Sequence, residues 1–91
     1  MQVVDEILKQ RGAEYGQFKD HAALSQELKA VINNALATRK KTLEPDMAEA
    51  LSMIIHKIAR IINGNASSVD QWVDIAGYST LVADRLQGKV Q

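Results

Sequence analysis

The chain has 91 residues and a mass of 10.0 kDa, which is one core and one domain, 1–91. Its 11 basic and 11 acidic residues cancel, so it lacks the net-basic surface with which a general nucleic-acid coat displaces counterions. It has no cysteine, which excludes disulfide frameworks, thiol catalysis and Cys zinc sites.

The start, MQVVDEILKQRG, is too acidic and too poor in apolar residues for a signal peptide, and no apolar run nears the ~20 residues that span a bilayer. A cytoplasmic protein is expected. Helical spacing recurs along the chain, and alternating strand patterns do not. The expected fold is all-α, a small antiparallel helical bundle with a short N-terminal helix and three longer ones. The first helix is expected over Gln2 to Gln10, with Val3, Val4, Ile7 and Leu8 on one side and Gly12 as its left-handed cap. Arg11-Gly12-Ala13-Glu14-Tyr15-Gly16 then reads as a tight connector.

The second helix, from Phe18 or Asp20 to Ala37, carries Leu24, Leu28, Val31, Ile32 and Ala35 as one stripe. Arg39-Lys40-Lys41 at its end suits the helix dipole as a solvated turn, with phosphate contact the alternative. Leu43-Glu44-Pro45-Asp46 opens the third helix, proline fitting the first helical position. Met47, Leu51, Ile54, Ile55, Ile58, Ile61 and Ile62 form the strongest stripe in the chain and are expected in the core, and Asn63-Gly64 is the stop. The fourth helix follows Asn65-Ala66 and ends near Leu86, before Gln87-Gly88, with Ser67 and Asp70 spaced like a capping box. A domain this small is marginal alone and gains from oligomerising.

Lys57 and Arg60 are three apart and share a flank of the third helix, beside Ala50 and Met53. That is an anion site, or two cationic stems covering the edge of the core. His56 and Glu49 are expected further round, towards the side opposite the core. The other histidine, His21, lies on a different helix, so neither has a partner at metal-ligand spacing.

On the fourth helix Val69, Trp72, Val73, Ile75, Ala76, Val82, Ala83 and Leu86 form a broad apolar arc. Asp70, Asp74, Gly77 and Asp84 occupy the rest, with Tyr78 and Arg85 to one side. The two aspartates repel across one turn, and a helical glycine costs about 1 kcal/mol relative to alanine. Close approach of a ligand or another helix explains Gly77; a dipole-matched acidic start with a packing notch is the alternative. Tyr15 is a candidate to stack on a base, whereas Trp72 is expected in the core.

Arg11-Gly12 with Tyr15-Gly16, then Glu49-Ala50-Leu51 through Ile55-His56-Lys57-Ile58-Ala59-Arg60-Ile61 and Asn63-Gly64, then Asp70-x-Trp72-x-Asp74-Ile75-Ala76-Gly77-Tyr78, resembles a family of small phage and prophage proteins. The likeness covers most of the chain. The Lys-x-x-Arg and Asp-x-x-x-Asp blocks also look like a domain associated with phage nucleotide modification. More distantly the chain is similar to the all-α NTP pyrophosphohydrolases, MazG-like proteins and dimeric dUTPases. Those enzymes gather four acids around Mg²⁺, an arrangement of oxygen ligands that the ion requires. Here the third helix offers Glu49 and then His56, Lys57 and Arg60, so cations stand where a metal cage needs anions.

The resemblance therefore implies a phage-type nucleotide-binding protein without catalysis, acting in an infected or lysogenic host and sequestering a nucleotide such as a defence signal. Its ligand residues would be Lys57, Arg60, Asp70, Asp74, Tyr15, Gly77, Tyr78 and His56, with no cofactor. A divergent Mg²⁺-dependent pyrophosphohydrolase is the alternative, holding metal through Asp70, Asp74 and Glu49 with help from Glu27 or Asp20, or from an acid of a second subunit. An interaction protein that binds a host enzyme through its fourth helix is the third reading. A homo-oligomer is expected in each case.

Overall fold

The computed structural model describes residues 2–89; the expected domain 1–91 also includes residues 1, 90 and 91, which lie outside that range. The chain forms α1 (Gln2–Tyr15), α2 (Phe18–Thr38), α3 (Pro45–Asn63) and α4 (Val69–Leu86), with no strand among the described residues. No described helix is long and apolar enough to cross a membrane.

α3 is the centre of the fold. α2 packs on one side of it and α4 on the other, and α2 and α4 do not touch. Arg85 near the end of α4 reaches Asp46 at the start of α3, while Lys57 meets Asp74, so these helices run antiparallel. His21 at the start of α2 meets His56 late in α3, which makes that pair antiparallel too. The result is an open three-helix layer with α1 attached at one end.

Local chemistry explains most of the boundaries. Pro45 stands in the first turn of α3, where its missing N–H costs nothing, and Asp46 beside it suits the positive end of the dipole. Asp46 is also held by Arg85, whose Nε donates to it at 2.7 Å; Arg85 reaches Glu44 as well. At the other end of α2, Arg39 donates to the Ala35 carbonyl of its own last turn, the solvated-turn reading of the basic triplet.

Four expectations need correction. α1 does not stop at Gln10: Gly12 lies within it, and the left-handed residue is Gly16 at φ 79°. Gly12 offers its carbonyl to the Gly16 amide at 3.0 Å, so one further turn forms before the chain leaves the helix. The proposed Ser67–Asp70 capping box does not form. Ser68 is the N-cap and has no side-chain cap bond, and the Ser67 amide is taken by Asn65 Oδ1 at 3.0 Å.

The core is also smaller than the α3 stripe implies. Its buried apolar residues are Ala50, Ile55, Ala59 and Ile61. At about 100° per residue, Ala50 and Ile61 face α4 while Ile55 and Ala59 face α2. The middle of the stripe, Leu51, Ile58 and Ile62, falls between the two neighbours and stays exposed. α4 is likewise turned from the expected way. Gln71, Asp74, Tyr78 and Arg85 lie on its α3 side, and Val69, Trp72, Val73 and Leu86 are exposed. Trp72, expected in the core, is 56% exposed and donates its indole N–H to the Ala66 carbonyl at 2.9 Å.

Candidate functional site

The site is built where the ends of α1, α2 and α3 meet. Gly64 closes α3 directly against the last turn of α1, and a Cβ there would overlap the Glu14 carbonyl and the Tyr15 Cα. The adjacent Asn65 amide donates to the Glu14 carbonyl at 2.7 Å, and the Asn63 side-chain amide to the Gln17 carbonyl at 3.2 Å. A side chain at Gly16 would collide with Asn63, and its positive φ already favours glycine. Two glycines and two asparagines thus fix the α1–α2 turn against the end of α3.

That clamp sets Tyr15 against Arg60. The guanidinium carbon lies 4.2 Å from the ring centroid, within cation–π range. One turn earlier on α3, His56 meets His21. The His21 Nε2 and His56 Nδ1 atoms are 3.1 Å apart, with the rings edge to face at 4.5 Å between centroids. One nitrogen of that contact must donate and the other accept. Burial, aided by the positive charge of Arg60, pushes both histidines down, and His56 reaches about 4. His21 is buried, and its Nδ1 has no hydrogen-bond partner.

Together these groups line a cleft of about 420 Å³. Arg11 and Arg60 supply cations, Tyr15 and Phe18 aromatic surface, and His21 and His56 the polar floor. No carboxylate is among its lining residues, and neither arginine forms an ion pair among the described residues. An unpaired guanidinium offers planar, bidentate donors suited to phosphate or carboxylate.

The expected ligand residues divide between this cleft and the α3–α4 contact. Arg60, Tyr15 and His56 meet in the cleft. His56 was expected to lie away from the core; α2 in fact packs on that side of α3 and covers part of it. Lys57 turns to α4 instead. Its Nζ lies 3.0 Å from Asp74 Oδ2, with the lysine side chain 11% exposed. Tyr78 and Gly77 share a shallow surface depression with Asp74. Nothing lies within 4 Å of a Cβ built on Gly77, so no packing notch within the chain accounts for that glycine. Asp70 is exposed on α4.

The acids weighed for metal binding do not converge. Glu49 lines a groove with Asp46 and Arg85, Asp74 is engaged by Lys57, and Glu27 and Asp20 are exposed on α2, which does not touch α4. Among the described residues no group of three or more His, Asp or Glu side chains could hold a metal ion.

Arg11, Phe18 and His21 were not singled out as ligand groups by the sequence. The Arg-Gly and Tyr-Gly pairs were visible, but with α1 ended at Gln10 nothing placed Arg11 one helical turn from Tyr15. A family model described as a domain of unknown function, DUF6378, matches residues 1–86. No curated protein and no solved structure matches the chain.

Proposed function

The chain belongs to the DUF6378 domain family, and we propose that it binds a nucleotide or a similar phosphorylated small molecule in the Arg11–Arg60 cleft. The observation that carries this reading is the composition of the cleft: two guanidiniums without carboxylate partners beside two aromatic rings. The cations match phosphate and the rings match a base. The lining holds no carboxylate that could gather a metal ion around a phosphate, which favours capture of a ligand over its metal-assisted hydrolysis.

In this reading Lys57 and Asp74 are positioning residues that hold α4 against α3, and Arg60 with Arg11 replaces Lys57 with Arg60 as the phosphate pair. The biological side of the proposal is sequestration of a nucleotide signal by a phage-type protein that works as a homo-oligomer. The cleft lies on the His56–Arg60 side of α3, roughly opposite Ile58 and Ile62, so ligand and neighbouring copies would use different sides of the chain.

Thermal shift and calorimetry against nucleoside triphosphates, cyclic di- and trinucleotides, ADP-ribose and inorganic phosphate test the reading, with and without Mg²⁺. A ligand at a hundred times its Kd adds about 2.7 kcal/mol of stability. Arg60→Ala should weaken binding about 10- to 100-fold, the worth of a charge-assisted hydrogen bond, while Lys57→Met leaves it within about threefold, roughly 0.6 kcal/mol. Equal affinity in Arg60→Ala and the parent would refute the site.

A further inference from the structure

We infer that the uncovered apolar side of the helix layer is a self-association surface whose occupant is a second copy of this chain. With α3 between α2 and α4, the layer has two open sides. Helix geometry sorts the side chains between them. On α3, Arg60 and His56 point to the cleft side, and Leu51, Ile58 and Ile62 to the other. Val31 on α2 and Trp72 and Leu86 on α4 fall on that second side as well. Exposure of these six runs from 36% at Ile58 to 69% at Ile62.

The direction of the pattern matters more than the number of exposed residues. Scattered surface leucines need no explanation, but here the centre of the strongest apolar stripe in the chain faces outward. Helices bury such stripes against another layer, and this chain supplies only one layer.

The surface area fits a second copy as the occupant. A folded monomer of this mass exposes about 5,200 Å², whereas this chain exposes 6800 Å². Its radius of gyration of 15.5 Å likewise exceeds the ~12 Å of a compact chain of this length. The excess is about 1,600 Å² per chain, shared by α1, the cleft side and this face; about half of it here would let two copies face to face remove about 1,600 Å², the area of a standard specific interface. Homodimer interfaces are the apolar kind, and a net charge of zero sets up no repulsion between copies. A two-fold axis near Ile58 closes the assembly as two stacked layers and leaves both clefts on the outside.

Sedimentation equilibrium and light scattering should give twice the 10.0 kDa chain mass, with a melting temperature that rises with protein concentration. Ile58→Glu should sediment as a helical monomer. A parent that stays monomeric at 100 µM, where any association stronger than about −5.5 kcal/mol would show, would overturn the inference and return the face to a different partner. So would an Ile58→Glu protein as dimeric as the parent.

If Ile58→Glu loses its helical circular dichroism, cross-linking decides. The chain has no cysteine, so Ile58→Cys and, on the cleft side, Gln26→Cys each carry one thiol. A bis-maleimide should link copies through Ile58→Cys and not through Gln26→Cys. The reverse pattern, or no link in either, rejects the face.

Discussion

A histidine nitrogen that accepts a hydrogen bond has to be unprotonated, and this ties the stability of the α2–α3 contact to pH. His21 and His56 share one such bond, and burial beside Arg60 lowers both. With His56 at about 4 against its usual 6.5, the unfolded chain binds more protons than the folded one between those values. Stability is therefore fully present above the unfolded value, falls as the pH drops through that window, and loses nothing further from this group below it. Urea melts between pH 7.5 and 5, mostly above the carboxylate range, should show this loss, and His56→Gln should flatten it. A flat profile in the parent would mean that the pair does not form.

Lys57 makes the second residue-scale case. Its buried ammonium is compensated by Asp74, whose side chain is 44% exposed. Removing the partner strands the lysine, whereas replacing the lysine by an apolar chain of similar length does not. Asp74→Ala should cost about 1–2 kcal/mol, less than a fully buried pair because water screens the carboxylate, and Lys57→Met should stay within about 1 kcal/mol of the parent. Denaturant midpoints at constant m-value measure both.

At the scale of elements, the glycines separate two uses of one residue. Gly64 lets the end of α3 touch the backbone of α1, so Gly64→Ala should cost at least about 2 kcal/mol and detach Tyr15 from Arg60. Gly77 sits inside α4 with open space around it, so Gly77→Ala should stabilise the isolated chain by about 0.5–1 kcal/mol. Thermal melts of the two variants should move in opposite directions. A loss in Gly77→Ala would show that the α4 surface at that glycine is covered in solution. The element boundaries were legible where chemistry is local, as at Pro45 and Asn63-Gly64. They were misread at Gly12, because either glycine of the α1–α2 turn satisfies the same rule, and only the contact with Asn63 selects Gly16.

At the scale of the molecule, periodicity gives each helix an apolar side but does not say which neighbour covers it. The α3 stripe spans an arc wide enough for α2, α4 and a third surface, so ranking its residues by hydrophobicity puts Ile58 and Ile62 in the core and leaves Ala59 out. The structure reverses that order: Ala59 is fully buried and Ile62 is exposed. Small residues sit where helices cross closely, and the large ones remain for contacts beyond the chain. This also explains Trp72, which lies on the part of its apolar arc that faces away from α3.

The amino-acid sequence by itself determined the all-α class, the α2–α4 spans and the chemical types present, because helix period, proline and glycine punctuation and charge act over a few residues. Tertiary structure decided which cations are free. Lys57 and Arg60 are equivalent in spacing, yet Asp74 on α4 neutralises one and Tyr15 on α1 leaves the other its charge. It also decided that a histidine from each of two helices would meet. Such pairings join residues dozens of positions apart, and no local rule of propensity or spacing carries that information.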